Sequence, residues 1–225
     1  MKIAQFLCCL ASALLLAACA TPTKMGFNQK TEKLDVSQES IYLLSVDMKN
    51  EYKPDYQPTP WILHMEKNGG TTVADKLNYI ADSEGAYTKD GANGYLYRFS
   101  LKPGKYKLVA DSGKYHSLLL FGHFLMPLHE EIEVKPGQIV YLGHVSGTIR
   151  LRKDKEFRAG AVIPLIDQAV VGAAEGTYDV TINDQYDADI AKFTEQFPVL
   201  KNAVVTKQIL SPFNREYAQQ WWEQH

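Results

Sequence analysis

Cysteine is scarce in this chain of 225 residues, and the positions of its cysteines exclude several classes of protein. The three cysteines are Cys8, Cys9 and Cys19, so none lies beyond the first twenty residues. A disulfide framework, a thiolate metal site and a cysteine nucleophile are therefore excluded from the rest of the sequence. That part must be stabilised by an ordinary hydrophobic core, and the roughly 185 residues from residue 40 onward are enough to form one.

Catalytic motifs and an excess of one charge are also missing. No Gly-x-Ser-x-Gly motif occurs, and Gly69, Gly70 and Gly172 lack the flanking residues of a phosphate-binding loop. The sequence has 24 basic and 26 acidic residues, which gives a formal net charge of −2. Because domains that bind nucleic acid carry a basic excess, a nucleic-acid partner is excluded. We also expect no cofactor.

One long apolar run, residues 3–18, follows Lys2 and is interrupted by Gln5 and Ser12. The run is shorter than the roughly 20 residues that a membrane-spanning helix needs, and small residues lie at its end. A positive residue, a short apolar run and small residues are typical of a secretory signal that is cleaved off. The sequence therefore predicts a signal peptide over residues 1–18.

The end of this run reads Leu16-Ala17-Ala18-Cys19, which resembles the lipobox of bacterial lipoproteins. The resemblance implies cleavage between Ala18 and Cys19 and acylation of Cys19, which then binds the protein to membrane lipid. Two or three acyl chains are sufficient for stable anchoring. In the bacterial family, an aspartate after the cysteine retains the protein in the inner membrane, whereas here Ala20 follows it. The resemblance therefore implies the periplasmic face of the outer membrane, with display on the cell surface as the alternative.

The segment that follows the cysteine is polar and mixed, with little periodicity, and we interpret residues 19–39 as a lipidated tether. A flexible chain of that length has a root-mean-square reach of roughly 25 Å, so the folded part would stand clear of the lipid headgroups. The expected organisation is completed by a β-sandwich domain over residues 40–183 and a C-terminal helical extension over residues 184–225.

Apolar and polar residues alternate along much of the sequence between residues 40 and 183. The alternation is regular in residues 61–65 and 95–101, which is typical of half-buried strands. The tripeptide Lys-Pro-Gly separates predicted strands twice, at residues 102–104 and 135–137, and Pro-Gly favours a tight type II turn. Short alternating strands separated by turns predict a mainly β fold, an antiparallel β-sandwich.

Two helices are predicted after the strands and are expected to pack on the sandwich. Asn183 or Asp184 can cap the first helix, and Pro198 ends it. Its apolar stripe consists of Ile190, Phe193 and Phe197.

The second helix is predicted to begin at Ser211, with Pro212 in its first position. Apolar residues then recur every four positions, at Phe213, Tyr217 and Trp221. We therefore expect Trp221 to lie in the core and Trp222 to be exposed or to clamp a sheet edge.

Three segments have a combined pattern that resembles a group of uncharacterised proteobacterial lipoproteins. They are residues 101–106 (LKPGKY), 134–143 (VKPGQIVYLG) and 180–190 (VTINDQYDADI). Members of that group carry a small β-sandwich akin to the carboxypeptidase-regulatory, transthyretin-like modules, which are mostly noncatalytic. The resemblance implies a binding or structural module of the cell envelope, with an envelope protein as a possible partner.

Four histidines provide the alternative: His116, His123, His129 and His144. Converging imidazoles with a nearby carboxylate are typical of zinc sites. However, separations of seven and six residues do not place the first three on one face of a regular strand, and no His-Glu-x-x-His motif occurs. We interpret these histidines as scattered. An envelope hydrolase or metal-dependent enzyme built on them is the competing hypothesis.

Overall fold

The computed structural model describes residues 22–224, so the predicted signal peptide, Ala18 and Cys19 lie outside the described residues. The strands are β1 (Pro22–Thr23), β2 (Ser40–Asn50), β3 (Thr59–Lys67), β4 (Lys76–Ile80), β5 (Ala86–Lys89), β6 (Ala92–Leu101), β7 (Gly104–His116), β8 (Phe121–Val134), β9 (Ile139–Leu151), β10 (Gly176–Asn183) and β11 (Val205–Lys207). The α-helices are α1 (Leu165–Val170), α2 (Tyr186–Gln196) and α3 (Arg215–Gln224). Short 3-10 helices span Val73–Asp75 and Pro198–Leu200. None of the helices described is long and apolar enough to cross a membrane.

The strands form two sheets. Sheet A has the order β1-β4-β3-β7-β8, and sheet B has the order β10-β9-β2-β6-β5, with β11 also paired to β9. Both sheets are mixed, because β1 runs parallel to β4 and β9 runs parallel to β2 and β11. The prediction of a mainly β chain is confirmed. The expected antiparallel arrangement is wrong at these three pairs.

The two Pro-Gly turns explain part of this difference. Residues 102–104 connect β6 in sheet B with β7 in sheet A, and residues 135–137 connect β8 in sheet A with β9 in sheet B. Gly137 has a φ of +78°, as a type II turn requires, whereas Gly104 has a φ of +155° and does not fit that type. Both connections cross between the sheets. Because of the second crossing, β9 lies beside β2 and runs parallel to it.

The facing sides of the two sheets share one hydrophobic core. The predicted apolar face of β6 contributes Tyr95, Tyr97, Phe99 and Leu101. Strand β3 contributes Leu63 and Met65. Trp61 is not in phase with them, because the pairing of β3 with β7 shifts between Pro60 and Ile62. Period-two alternation therefore predicts these inward faces correctly except at the irregularity.

The N-terminal segment packs on the domain, which corrects the expected tether. Pro22 and Thr23 form β1 beside β4, and the Gly26 amide donates to the carbonyl oxygen of Arg98 at 2.7 Å. Phe27 is 4% exposed and belongs to a second apolar cluster, on the outer face of sheet B. Packed structure is therefore already present at Pro22, well before residue 40.

Arg98 fixes this segment from the outer face of sheet B, where its side chain is fully buried. Its Nε donates to the carbonyl oxygen of Phe27 at 2.7 Å, and its Nη2 binds the carboxylate of Asp82. The guanidinium carbon also lies 4.2 Å from the ring centre of Phe197, which follows α2. A buried guanidinium needs such partners because an unpaired buried charge is costly. Arg98 thus joins the N-terminal segment to α2.

The last helix starts later than predicted. Helix α3 begins at Arg215, and the Oδ1 of Asn214 caps it by accepting a hydrogen bond from the Tyr217 amide at 2.9 Å. Pro212 and Phe213 precede the helix, so Phe213 cannot define its buried stripe.

The two tryptophans do not divide into a core and an exposed residue as predicted, because both are half-buried. Ala218 and Trp222, one turn apart, pack against the core between the sheets. Trp221 instead lies against His129, with 4.9 Å between the ring centres. The side of α3 that is buried depends on how the helix docks beside β8 and β10, which the chain pattern does not specify. In this fold the side with Ala218 is buried.

Four charged side chains hold α3 in place. Arg150 and Arg215 each bind both Glu156 and Asp179, with N–O distances between 2.6 and 3.1 Å. The hydrogen bonds from Arg150 are the main reason that the pKa of Glu156 falls to about 2. The four groups form a closed ring in which each charge has two partners of opposite sign.

Candidate functional site

The structure separates the four histidines of the competing hypothesis. His116 lies on β7, and His123 and His129 lie on β8, all in sheet A, whereas His144 lies on β9 in sheet B. The crossing at residues 135–137 causes this separation. Within residues 22–224, no group of three or more His, Cys, Asp or Glu side chains is arranged to hold a metal ion.

His144 is 3% exposed and lies between two aspartates, where α2 packs on sheet B. Its Nδ1 is 2.9 Å from the Oδ2 of Asp189, and its Nε2 is 3.3 Å from each carboxylate oxygen of Asp47. The buried Asp189 also accepts a hydrogen bond of 2.7 Å from the Tyr141 hydroxyl. The Nζ of Lys192 lies 3.5 Å from Asp189. Two anions and two cations therefore face one another.

The charges in this cluster stabilise each other. Burial by itself lowers the pKa of His144, but the hydrogen bonds to Asp189 and Asp47 outweigh it and raise the pKa to about 9. Burial raises the pKa of both carboxyls, but hydrogen bonds and charge attraction, with those to His144 foremost, outweigh it and place both pKa values below their ordinary value. His144 is therefore an imidazolium at neutral pH with both nitrogens engaged. It positions α2 and is unsuited to bind a metal.

The sequence contains no local signal for this cluster. Neither Asp47 nor Asp189 lies in a motif that indicates a buried charge cluster. The two aspartates are 45 and 97 residues from His144 along the chain. Only the packing of α2 on sheet B brings them together.

A groove crosses the outer face of sheet A beside α3, with a volume of about 340 Å³. Its apolar walls include Leu125, Pro127 and Trp221, and its polar side chains include His64 and Asn78. A mostly apolar concavity with a few placed polar groups is the usual form of a binding site. We refer to this feature as the sheet A groove.

His64 gives the groove a fixed and uncharged polar group. Its Nδ1 lies 2.7 Å from the Oδ1 of Asn78, and its Nε2 lies 2.7 Å from the Oγ of Ser112. Burial lowers the pKa of His64 and outweighs the opposite effect of the bond to Asn78. The imidazole is therefore neutral near pH 7, which suits an apolar ligand better than a charged one.

A row of four rings continues from the groove toward the turn between β7 and β8. The ring centres of Trp61 and His123 are 5.1 Å apart, those of His123 and Phe121 are 5.3 Å apart, and those of Phe121 and His116 are 5.9 Å apart. The Nζ of Lys114 lies 5.0 Å from the Trp61 ring centre. Burial lowers the pKa of His123. Two of the four predicted histidines thus meet in an aromatic row.

The row ends at two exposed apolar loops, which we call the aliphatic tip. One loop is the turn between β7 and β8, where Leu118 is 97% exposed and Leu119 is 85% exposed. The other is residues 161–166 (AVIPLI), a loop that continues into the first two residues of α1, and all six are exposed. The Phe121 amide donates to the Oδ2 of Asp167 at 3.1 Å and so joins the two loops. Consecutive exposed apolar residues on a folded domain usually mark an interaction site.

The pattern of residues along the chain does not predict the aliphatic tip. Short apolar runs such as Leu118-Leu119-Leu120 and residues 161–166 have the composition of buried strands. Their exposure becomes visible only when the fold places them at one end of sheet A.

A carboxyl group is buried in the core between the sheets. Asp111 on β7 pairs in register with Leu63 and Met126, both core residues, and is fully buried. The Tyr97 hydroxyl donates to its Oδ1 at 2.7 Å. Burial raises the pKa of Asp111 well above its ordinary value, and the hydrogen bond from Tyr97 offsets only part of this effect. Burial therefore favours the protonated carboxyl over the carboxylate.

Comparisons with known proteins add little to this geometry. The chain matches no family model and no curated protein. Among solved structures it is similar to a leucine-rich repeat protein from Bacteroides thetaiotaomicron, with 14% sequence identity and a TM-score of 0.30. The match covers 49% of this chain and 14% of that protein. A likeness at this level carries no argument about fold or function.

Proposed function

We propose that this protein is a lipid-anchored lipoprotein of the outer membrane, acting on the periplasmic face as a binding or structural module. We propose further that its architecture is a β-sandwich akin to the transthyretin-like modules. The single core between sheets A and B and the two Pro-Gly crossings support the architecture. The motif Leu16-Ala17-Ala18-Cys19 supports acylation of Cys19.

The observation that carries the proposal is the position of β1. This strand begins at Pro22, which pairs with Asn78, so only Ala20 and Thr21 separate it from Cys19. Three steps along the chain span at most about 11 Å. Acyl chains on Cys19 would therefore hold sheet A close to the lipid headgroups. The domain would rest on the membrane surface, without the stand-off of roughly 25 Å expected from a free tether.

The sheet A groove is the binding surface in this proposal. Leu125, Pro127 and Trp221 offer apolar contact, and His64 adds a neutral ring to the wall, fixed by the hydrogen bonds of its two nitrogens to Asn78 and Ser112. Its volume of about 340 Å³ lies at the lower end of the range for ligand sites, about 300–1,000 Å³. The groove suits a few apolar side chains of an envelope protein partner.

The anchor is tested by the intact mass of the protein after extraction from membranes in mild detergent. We expect the mass of residues 19–225 plus two or three acyl chains. Cys19→Ala should abolish the acyl mass, whereas Cys8→Ala should leave it unchanged because residue 8 lies in the cleaved segment. An unmodified Cys19 in the natural chain would contradict the proposal.

The groove is tested by a photoreactive amino acid placed at Leu125 in intact cells. We expect a discrete protein adduct that is absent when the same amino acid replaces Val204, an exposed aliphatic residue outside the groove. Trp221→Ala should reduce the adduct about tenfold or more, because truncated apolar anchors dominate such interfaces. Equal adduct patterns from positions 125 and 204 would argue against the groove.

A further inference from the structure

The aliphatic tip is separate from both the anchor and the groove. Its most exposed side chains are large and aliphatic: Leu118 (97%), Leu119 (85%), Ile163 (78%), Ile166 (76%) and Leu165 (67%). Two hydrogen bonds from the backbone at the start of β8 to the side chains of Asp167 and Gln168 hold the two loops side by side. The fold therefore presents these aliphatic groups together at one place.

The chemistry of the tip favours lipid over a protein partner. Energetically dominant residues of protein interfaces are enriched in Trp, Tyr and Arg, and Leu and Val are under-represented among them. Residues 117–120 (SLLL) and 161–166 (AVIPLI) contain neither aromatic nor charged residues. Their side chains also stand out into solvent, so a protein partner would need a matching cavity. A bilayer accepts such a shape without one.

The side chains behind the tip follow the order of a bilayer interface. His116 pairs with Phe121 two residues behind Leu118, so about 7 Å of strand separates the aliphatic end from the first rings. This length is an upper limit for the depth, because the strand can tilt, and it lies within the roughly 5–10 Å to which interfacial segments enter a membrane. Lys114 and Trp61 follow, in contact with each other. Amphipathic rings and lysines are favoured at the headgroup level.

We propose that the aliphatic tip inserts into the acyl-chain boundary of a phospholipid bilayer, as a membrane contact distinct from acylated Cys19. The two contacts belong to opposite edges of sheet A, because β1 and β8 are its terminal strands. Together they would hold the domain at two points and define its orientation on the membrane.

The experiment uses the full protein on vesicles of phosphatidylethanolamine and phosphatidylglycerol that contain a lipid with a photoreactive group in its acyl chain. After illumination, lipid adducts are mapped by mass spectrometry, and we expect them on residues 117–121 and 161–166. The variant Leu118→Asn/Leu119→Asn/Ile166→Asn should lose these adducts about tenfold or more, because three apolar groups no longer favour insertion. The matched control Val204→Asn should retain them.

Three outcomes would overturn the inference. Adducts confined to the N-terminal peptide, or equal adduct yields at the tip in the variant, would exclude insertion. A photoreactive group at position 118 that captures a protein in cells, and no lipid, would assign the tip to protein docking. The intact mass of the same sample reports on Cys19 separately. An unmodified Cys19 together with tip adducts would remove the proposed anchor and retain the tip.

Discussion

Replacing the buried Asp111 by asparagine should stabilise the protein near neutral pH. A carboxyl whose pKa is raised on folding contributes most favourably below its ordinary value of 3.8, and that contribution is lost as pH rises toward the folded-state pKa. Asparagine has nearly the same shape and can accept the hydrogen bond from Tyr97. Asparagine does not ionise in the unfolded chain, so its contribution to stability does not fall as pH rises.

The magnitude follows from the linkage between protonation and folding. Each pH unit above 3.8 costs about 1.4 kcal/mol while the folded carboxyl stays protonated. At pH 7 the accumulated cost is at most about 4 kcal/mol. The Oδ2 of Asp111 has no hydrogen-bond partner among residues 22–224, so the two unpaired N–H groups of the asparagine amide replace one unpaired O–H, a cost that does not depend on pH. We therefore expect the stability of Asp111→Asn relative to the natural chain to rise between pH 4 and pH 7, by at most about 4 kcal/mol.

The assay is urea unfolding followed by tryptophan fluorescence between pH 4 and pH 9. The informative quantity is the difference in unfolding free energy between the variant and the natural chain, because contributions from other titrating groups cancel. Asp55→Asn is the matched control, since Asp55 is exposed and surface substitutions usually change stability by less than about 0.5 kcal/mol. A difference for Asp111→Asn that does not grow with pH would refute the reasoning, because the carboxyl would then be ionised in the folded protein.

Three further predictions follow from the charged clusters. The pKa of His144 is raised to about 9, so its contribution to stability is fully present below pH 6.5 and is lost as pH rises through 9, by at most about 3 kcal/mol. In urea unfolding, His144→Gln should abolish this dependence of the unfolding free energy on pH. The lowered pKa of Glu156, about 2, implies stability present above pH 4.5 and lost as pH falls toward 2. Glu156→Gln should remove this acid dependence and speed amide exchange in α3, and unchanged exchange would contradict the role of the ion ring. Arg98→Met should destabilise the fold by about 2–4 kcal/mol and speed amide exchange at Phe27, whereas slow exchange there would show that the segment is held by other contacts.

Local patterns in the sequence determined the strands, the faces of the strands that point into the core, and the residues at which some helices end. Alternation over residues 95–101 specifies a strand whose apolar face enters the core, because neighbouring side chains on a strand point to opposite sides. Pro198 ends α2 because its ring prevents the helix from continuing. These features depend on residues that are adjacent in the chain, so one sequence contains them.

The pairing of strands was decided by the tertiary structure. A Pro-Gly turn has the same local chemistry when it closes a hairpin and when it crosses between sheets, and here both connections cross. The same limit explains the tryptophans of α3. The spacing of apolar residues suggests a stripe, but the docking of the helix selects the side with Ala218 and Trp222.

The chemistry of the candidate sites depended even more on distant contacts. The sequence by itself determined that no thiol follows Cys19, that the net charge is small and that the chain begins with a lipobox-like segment. Only the tertiary structure decided that His144 is engaged by two aspartates, that Asp111 is buried and that residues 161–166 are exposed. Periodicity is a property of neighbours along the chain, whereas burial and charge pairing depend on segments that meet only in the folded protein.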